Sequence, residues 1–321
     1  MNSSLPRRNF LIGLGAIAAG SAFPQTSYGL DLKKSPFRIS VINDEISQDF
    51  ERACSVASEF GVKWIELRAM WNKNVLDLDP HEISECKRLL KKHDLRVTDI
   101  ASPLFKVDWP GAPKSKFSPK QDQFNAHFGF DQQDQVIEKS IELAKSFETD
   151  RVRCFDFWRL DDIKSHRAEM NEKLRQAAEK AGKPGITLVL ENEAACNTGT
   201  GKEAAEVLAA VQTSSLMLNW DPGNAATLGE TPYPNGYDLL PKARIGHCHC
   251  KDVVKNGDKY EWAAVGKGFV DWVGQFKALK KDGYHFAVSL ETHWRGAGSA
   301  EESTIRSWAG MKETLQKAGA V

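Results

Sequence analysis

From about residue 35 onward the chain alternates two patterns of apolar and polar positions. Short runs rich in β-branched and apolar residues give way to longer stretches in which apolar residues recur every three or four positions. The short runs predict strands at Phe37–Ile42, Lys63–Leu67, Leu95–Ala101, Arg151–Phe155, Ile186–Glu191, Leu216–Asp221, Arg244–His249 and His285–Glu291. The longer ones predict helices at Asp49–Phe60, Pro80–His93, Asp131–Phe147, Lys164–Gly182, Lys202–Thr213, Phe269–Asp282 and Ala300–Ala318. Strands alternating with helices build βαβ units on a parallel sheet. A succession of eight strands predicts an α/β chain closed into one (β/α)8 barrel of the TIM type over residues 35–321. An open doubly wound sheet is the weaker expectation. No predicted strand runs into a G-x-G-x-x-G turn, and Val265–Phe269, "VGKGF", is only a G-x-G.

Two connections are long. Phe105–Phe130 carries Trp109, Phe117, Phe124, His127 and Phe128 among prolines that include Pro119, and Pro222–Gly236 carries Pro232, Tyr233 and Pro234. Both follow strands, so both are expected as loops on the C-terminal rim of the barrel, where active sites form. The first is a candidate lid or sugar-stacking loop. Trp109 and Trp294 are candidate stacking residues, with a core role as the alternative.

The first residues follow a different pattern. Arg7-Arg8 precedes an apolar, Gly/Ala-rich run from Phe10 to Ala22, too short for a comfortable membrane span. Residues 1–29 therefore read as a twin-arginine signal, with cleavage near Ala22 or Gly29. The expectation is a periplasmic or exported protein that meets the twin-arginine translocase. That route carries folded proteins, so the 6 cysteines need not pair; they read as small buried packing residues. Lys+Arg and Asp+Glu are both 43, which removes the basic excess expected of a nucleic-acid binder.

Chemistry concentrates at the strand ends. In Arg244–Asp252, "RIGHCHCKD", alternation along a strand sends His247 and His249 to one face and Cys248 and Cys250 to the other. A four-ligand site within this stretch is thereby excluded. The imidazoles are expected in the lumen and the thiols under the helices. Neighbouring strands end on acids: "LVLENE" on Glu191, "LNWDPGN" on Asp221 and "VSLETHW" on Glu291. One such acid has an ordinary explanation as a helix N-cap. Four acid or histidine ends in succession predict a metal site of Glu191, Asp221, Glu291 and an imidazole from His247 or His249, suited to Mn, Zn, Co or Mg.

With these segments in that order, and "GKGFVDW" before the last strand, the chain over residues 37–318 resembles the xylose isomerase-like barrel superfamily, in its sugar phosphate isomerase/epimerase branch. "IELR" at Ile65–Arg68 and "ASPLFK" at Ala101–Lys106 are similar to the family as well. The resemblance places the family's metal ligands on Glu191, Asp221, His249 and Glu291, with Lys251 and Asp252 completing the H-x-K-D motif. Three positions depart from it. Glu193 stands where many members have histidine, Asn224 where epimerases often have histidine, and Lys255 where epimerases have arginine.

Together these readings predict a metal-dependent isomerase or epimerase acting on an unphosphorylated sugar or keto-sugar. Glu191 and Glu291 would be the catalytic proton carriers on opposite sides of an enediolate. Glu66, Lys106, Arg153, Glu193, Asn224 and His247 are candidate substrate-binding residues. A leaving group β to the carbanion would make the same site a lyase or dehydratase. An abasic-site endonuclease would need more than 8 histidines and a cationic surface, and a non-catalytic sugar-binding barrel would not need the carboxylate pair. The sequence leaves a homo-oligomer open.

Overall fold

A computed structural model describes residues 32–114, 116 and 128–321. The expected export segment with Arg7 and Arg8, and Phe117, Pro119, Phe124 and His127 of the first long loop, lie outside the described residues. Eight parallel strands, β1 (Arg38–Val41), β2 (Trp64–Leu67), β3 (Arg96–Leu104), β4 (Arg151–Cys154), β5 (Thr187–Glu191), β6 (Leu216–Trp220), β7 (Ile245–Cys250) and β8 (Ala287–Leu290), run side by side in the order β1-β8-β7-β6-β5-β4-β3-β2. A parallel bridge between Ile42 and Glu66 brings the end of β1 back to β2, so the barrel all but closes. All eight strands lie where the alternation of patterns put them.

The expected helices form as well, and local chemistry sets where they start. Asp49 accepts the N–H groups of Glu51 and Arg52 ahead of Phe50–Glu59. Asp79 with Glu82, and Thr200 with Glu203, make reciprocal capping boxes ahead of Pro80–Lys92 and Gly201–Ala210. The helices bury one face against the barrel. Cys54, Cys86, Cys154, Cys248 and Cys250 belong to that packed layer, and all six cysteines are free and buried.

Two departures from the sequence expectation shape the rim. Pro222–Gly236 is not simply a loop, because it opens with the short helix Pro222–Thr227. The segment "PGNAAT" has no apolar periodicity to announce a helix; Asp221 as N-cap and Pro222 in the first turn start it. After β7 the chain forms an antiparallel hairpin, Asp252–Asn256 with Lys259–Ala263. Its signal was present in Gly257-Asp258, the two residues between the paired Asn256 and Lys259, where Gly257 has φ 61°.

Asp252 ties this hairpin to the barrel. Its carboxylate accepts N–H bonds from Val253 (2.9 Å), Gly266 (2.9 Å), Gly268 (2.9 Å) and Val270 (3.2 Å). A Cβ at Gly268 would stand 2.1 Å from Asp252 Oδ1, so only glycine allows the approach. Replacing Asp252 by alanine strands several amide donors at once. Asp252→Ala should therefore lower unfolding stability by about 3 kcal/mol, measured by urea denaturation, and should speed proteolysis within residues 252–270.

Candidate metal centre

Four consecutive strands, β5 to β8, deliver one ligand type each. Parallel pairing sets Glu191 beside Asn219, Asn219 beside His247, and His249 beside Ser289, so their C-terminal ends share one level. Asp221 follows β6 directly and Glu291 follows β8 directly. One potential ligand atom from each of Glu191, Asp221, His249 and Glu291 lies within 4.8 Å of all the others, and all four residues are buried.

Asp221 serves two structures at once. Its Oδ1 accepts the N–H of Asn224 at 2.8 Å as the helix cap. Its Oδ2 accepts no hydrogen bond, and neither do Glu191 Oε2 and Glu291 Oε2. Each of these three oxygens instead faces a cation: Arg153 at 3.1 Å from Glu191, and Lys251 at 2.8 Å from Asp221 and 2.7 Å from Glu291. Crowding buried carboxylates together is costly unless cations compensate them. Converging with an imidazole nitrogen, the three oxygens form a donor set that fits one divalent ion.

The imidazole of His249 is oriented from beneath. Its Nε2 lies 3.1 Å from Glu66 Oε1, while its Nδ1 lies 2.9 Å from Glu291 Oε2, 3.4 Å from Glu191 Oε1 and 3.6 Å from Asp221 Oδ2. Glu66 thus takes the Nε2–H and leaves Nδ1 facing the three carboxylates, the usual carboxylate–histidine pairing behind a ligand. His247 lies one layer deeper, 3.1 Å from Glu66 Oε2 and 3.7 Å from Asp99 Oδ1. Burial, and then the charge of Glu66, push the Asp99 carboxyl up to about 6.

Burial alone would raise the carboxyls of Glu191 and Glu291. His249, Arg153 and Lys251 outweigh it at Glu191, and Lys251, His249 and His293 outweigh it at Glu291, so both stay ionised. Arg68 steadies Glu291 from outside the quartet. Its guanidinium is 2% exposed and reaches Asp44 (2.9 Å), Glu45 (2.7 Å) and Glu291 (2.5 Å). Glu45 in turn holds His293 and Arg295.

Of the six residues nominated for substrate, Lys106 and Glu193 form a pair at 3.1 Å and retain partial exposure. Asn224 sits beside the quartet, donating to Glu191 Oε1 at 3.1 Å. Arg153, Glu66 and His247 are buried against protein groups: Arg153 against Glu191 and the carbonyls of Ala101 and Ser102, and the other two against each other. Trp109 is 8% exposed and packs edge-on against Phe157 and Phe130, as a core tryptophan does. The aromatic ring that flanks the quartet is Trp262, on the hairpin, 5.5 Å from Lys251 Nζ and 5.4 Å from the His293 ring. Trp262 and Glu45 carried no sequence signal of a shared site; Arg68 and His293 stood inside the quoted "IELR" and "VSLETHW" segments without a role. Lys251 stood inside the quoted H-x-K-D motif without a role.

The Arg68 cluster makes a test of pH dependence. Burial opposes ionisation of Glu45, but His293, Arg68 and Arg295 outweigh it and hold the carboxyl at about 2. The folded value is depressed, so this contribution is complete above the ordinary value near 4.5 and is lost as pH falls towards about 2. Arg68→Met should therefore cost about 3–5 kcal/mol at neutral pH, and the gap from wild type should narrow below pH 4.5, measured by denaturant melts at pH 7 and pH 3.

The profile of the family described as "Xylose isomerase-like TIM barrel" matches residues 54–314. No curated protein matches in sequence. Solved structures share the fold at low identity. The probable 3-DHS dehydratase AsbF of Bacillus anthracis, involved in petrobactin synthesis, superposes with a TM-score of 0.65 at 18% identity, over 86% of this chain and 98% of that one. The IOLI protein with a binding zinc atom gives 0.66 at 15%, over 88% and 98%. A D-allulose 3-epimerase from Methylomonas sp. in complex with D-allulose gives 0.61 at 16%, over 88% and 98%.

Proposed function

The chain belongs to the xylose isomerase-like TIM barrel family, and we propose that it is a divalent-metal-dependent isomerase or epimerase of a sugar or keto-sugar. One observation carries the reading: Glu191, Asp221, His249 and Glu291, one at the C-terminal end of each of four adjacent strands, converge within 4.8 Å with three buried carboxylate oxygens among them that face cations but accept no well-aligned hydrogen bond. A likeness in fold to a zinc-bearing protein and to a sugar epimerase agrees with it.

A divalent ion held by the quartet would polarise a substrate carbonyl as a Lewis acid and favour the enediolate. The protein's own groups do the rest. Glu191 and Glu291, both ionised, stand on strands separated by β6 and β7 and address the substrate from two sides. One carboxylate removes the proton from the carbon next to the carbonyl; in an isomerisation it returns that same proton to the adjacent carbon, whereas an epimerisation requires the second glutamate to take up a proton from solvent before delivering it to the opposite face. Arg153 and Asn224 fix Glu191, Arg68 and His293 fix Glu291, and Glu66 fixes His249. Preorganisation of this kind keeps the carriers in reach of the proton.

A second reading is favoured by the Lys106–Glu193 pair. With 3.1 Å between them and partial exposure, they add an acid/base couple that epimerisation does not need. An elimination from a keto-sugar or keto-glycoside does need one, because the leaving oxygen must be protonated as it departs. Metal-dependent lyase or dehydratase chemistry is therefore the alternative.

Export through the twin-arginine route is part of the proposal, and it favours an unphosphorylated substrate. Arg7→Lys with Arg8→Lys should leave the protein in the cytoplasm on fractionation; periplasmic recovery of that variant would remove the argument about phosphate.

The chemistry is tested by incubating manganese-loaded protein with sugars and keto-glycosides in D₂O. Deuterium at one carbon of a recovered or isomerised sugar supports the first reading, and an unsaturated product the second. The protein should bind about one divalent ion per chain, and His249→Ala and Asp221→Ala should lower occupancy while Cys248→Ala should not. Glu191→Asp and Glu291→Asp should retain much of the metal yet lose about 100-fold in turnover, since a displacement of roughly 1 Å has that effect. Cys196→Ala is the active control. If either shortened variant turns over normally, that glutamate is a ligand only.

A further inference from the structure

Lys251 is placed as no ordinary core residue would be. It follows β7, two residues after His249, and its side chain is 1% exposed. Its ammonium lies 2.8 Å from Asp221 Oδ2, 2.7 Å from Glu291 Oε2 and 3.7 Å from Glu191 Oε1. Those partners are three of the four members of the quartet. Two of the contacts are to the oxygens that accept no hydrogen bond. The nitrogen thus occupies the space between the carboxylates where their lone pairs converge.

A divalent ion would need the same oxygens. Oxygen–metal bonds run at about 2.0–2.2 Å, so an ammonium still in contact with Asp221 and Glu291 would stand within a few ångström of a doubly charged ion. Like charges at that separation in a buried site repel strongly, and one of the two must leave. The lysine stem is flexible and has somewhere to go. Asn224 Oδ1 is 3.3 Å from the ammonium and the Trp262 ring is 5.5 Å from it. An ammonium over an indole face is a favourable resting place.

We propose that Lys251 is a tethered counter-ion: it neutralises the carboxylates of Asp221 and Glu291 by occupying the position of the divalent ion, and the ion displaces it toward Trp262 when it binds. This rests on the metal-site reading above. Two consequences follow from the swap. The carboxylates are compensated with or without metal, so the fold does not depend on metal supply. The displaced ammonium adds positive charge beside Trp262 only when the ion is in place.

The test compares full-length wild type with Lys251→Met and Lys251→Gln after removal of metal by chelation. Manganese affinity is measured by titration calorimetry and the melting temperature is measured with and without manganese. Removing the competing cation should tighten manganese binding by about tenfold or more. Without manganese the variants should melt about 5 °C or more below wild type, because uncompensated buried carboxylates destabilise the fold. Manganese should recover most of that loss. Equal or weaker manganese binding in the variants would overturn the proposal, since Lys251 would then be a fixed bracket that holds the ligands in place. A crystal structure of wild type with manganese decides the matter even if both variants fail to fold. The ammonium should have left Asp221 and Glu291, and an ammonium still within hydrogen-bond distance of both would also overturn the proposal. If wild type binds no divalent ion, the metal-site reading itself fails; if wild type binds and the variants gain nothing, only the counter-ion role fails.

Discussion

The constraint on which this barrel is built is the crowding of negative charge inside it. Asp44, Glu45, Glu66, Asp99, Glu191, Asp221 and Glu291 are all buried around its C-terminal half. Carboxylates cannot be taken out of water in such number without partners. The partners are equally buried: Arg68 among Asp44, Glu45 and Glu291, Arg153 behind Glu191, the two imidazoles around Glu66, and Lys251 at the centre. Each cation touches more than one acid or an acid plus backbone carbonyls, so positions are over-determined and little freedom remains. That rigidity is what the proposed proton transfer between fixed carriers calls for.

The regular scaffold and this charge cluster support one another. Parallel register levels the ends of β5 to β8, and the acids that follow them do double duty. Asp221 begins a helix with one oxygen and faces the quartet with the other. Asp252, two residues past β7, opens the hairpin and fastens the loop that approaches it at Gly268.

Much of this was readable in the chain because it is written in local periodicity. Eight strand segments, the inward pair His247 and His249, and the outward pair Cys248 and Cys250 all follow from alternation and strand ends. The quartet was legible for the same reason, since its members share one position relative to the strands. What escaped lacks periodicity or depends on folding. The helix Pro222–Thr227 begins by capping, not by an apolar stripe. Arg68, Glu45 and His293 come from distant parts of the sequence and become neighbours only when the barrel closes between β1 and β2. Arg153 and Glu66 were legible as charged residues near strand ends, but which side of the quartet they occupy depends on side-chain reach, which spacing does not encode.

The hairpin that carries Trp262 has a bearing on how this barrel could diversify. It is fastened at its base by Asp252, while Lys255, Asn256, Gly257, Asp258 and Lys259 at its tip are exposed. Lengthening, shortening or recolouring that tip leaves Asp252 and the four strand ends untouched. The hairpin is therefore an exchangeable cassette: the wall beside the quartet can be rewritten by insertion or recombination without moving the residues beneath it.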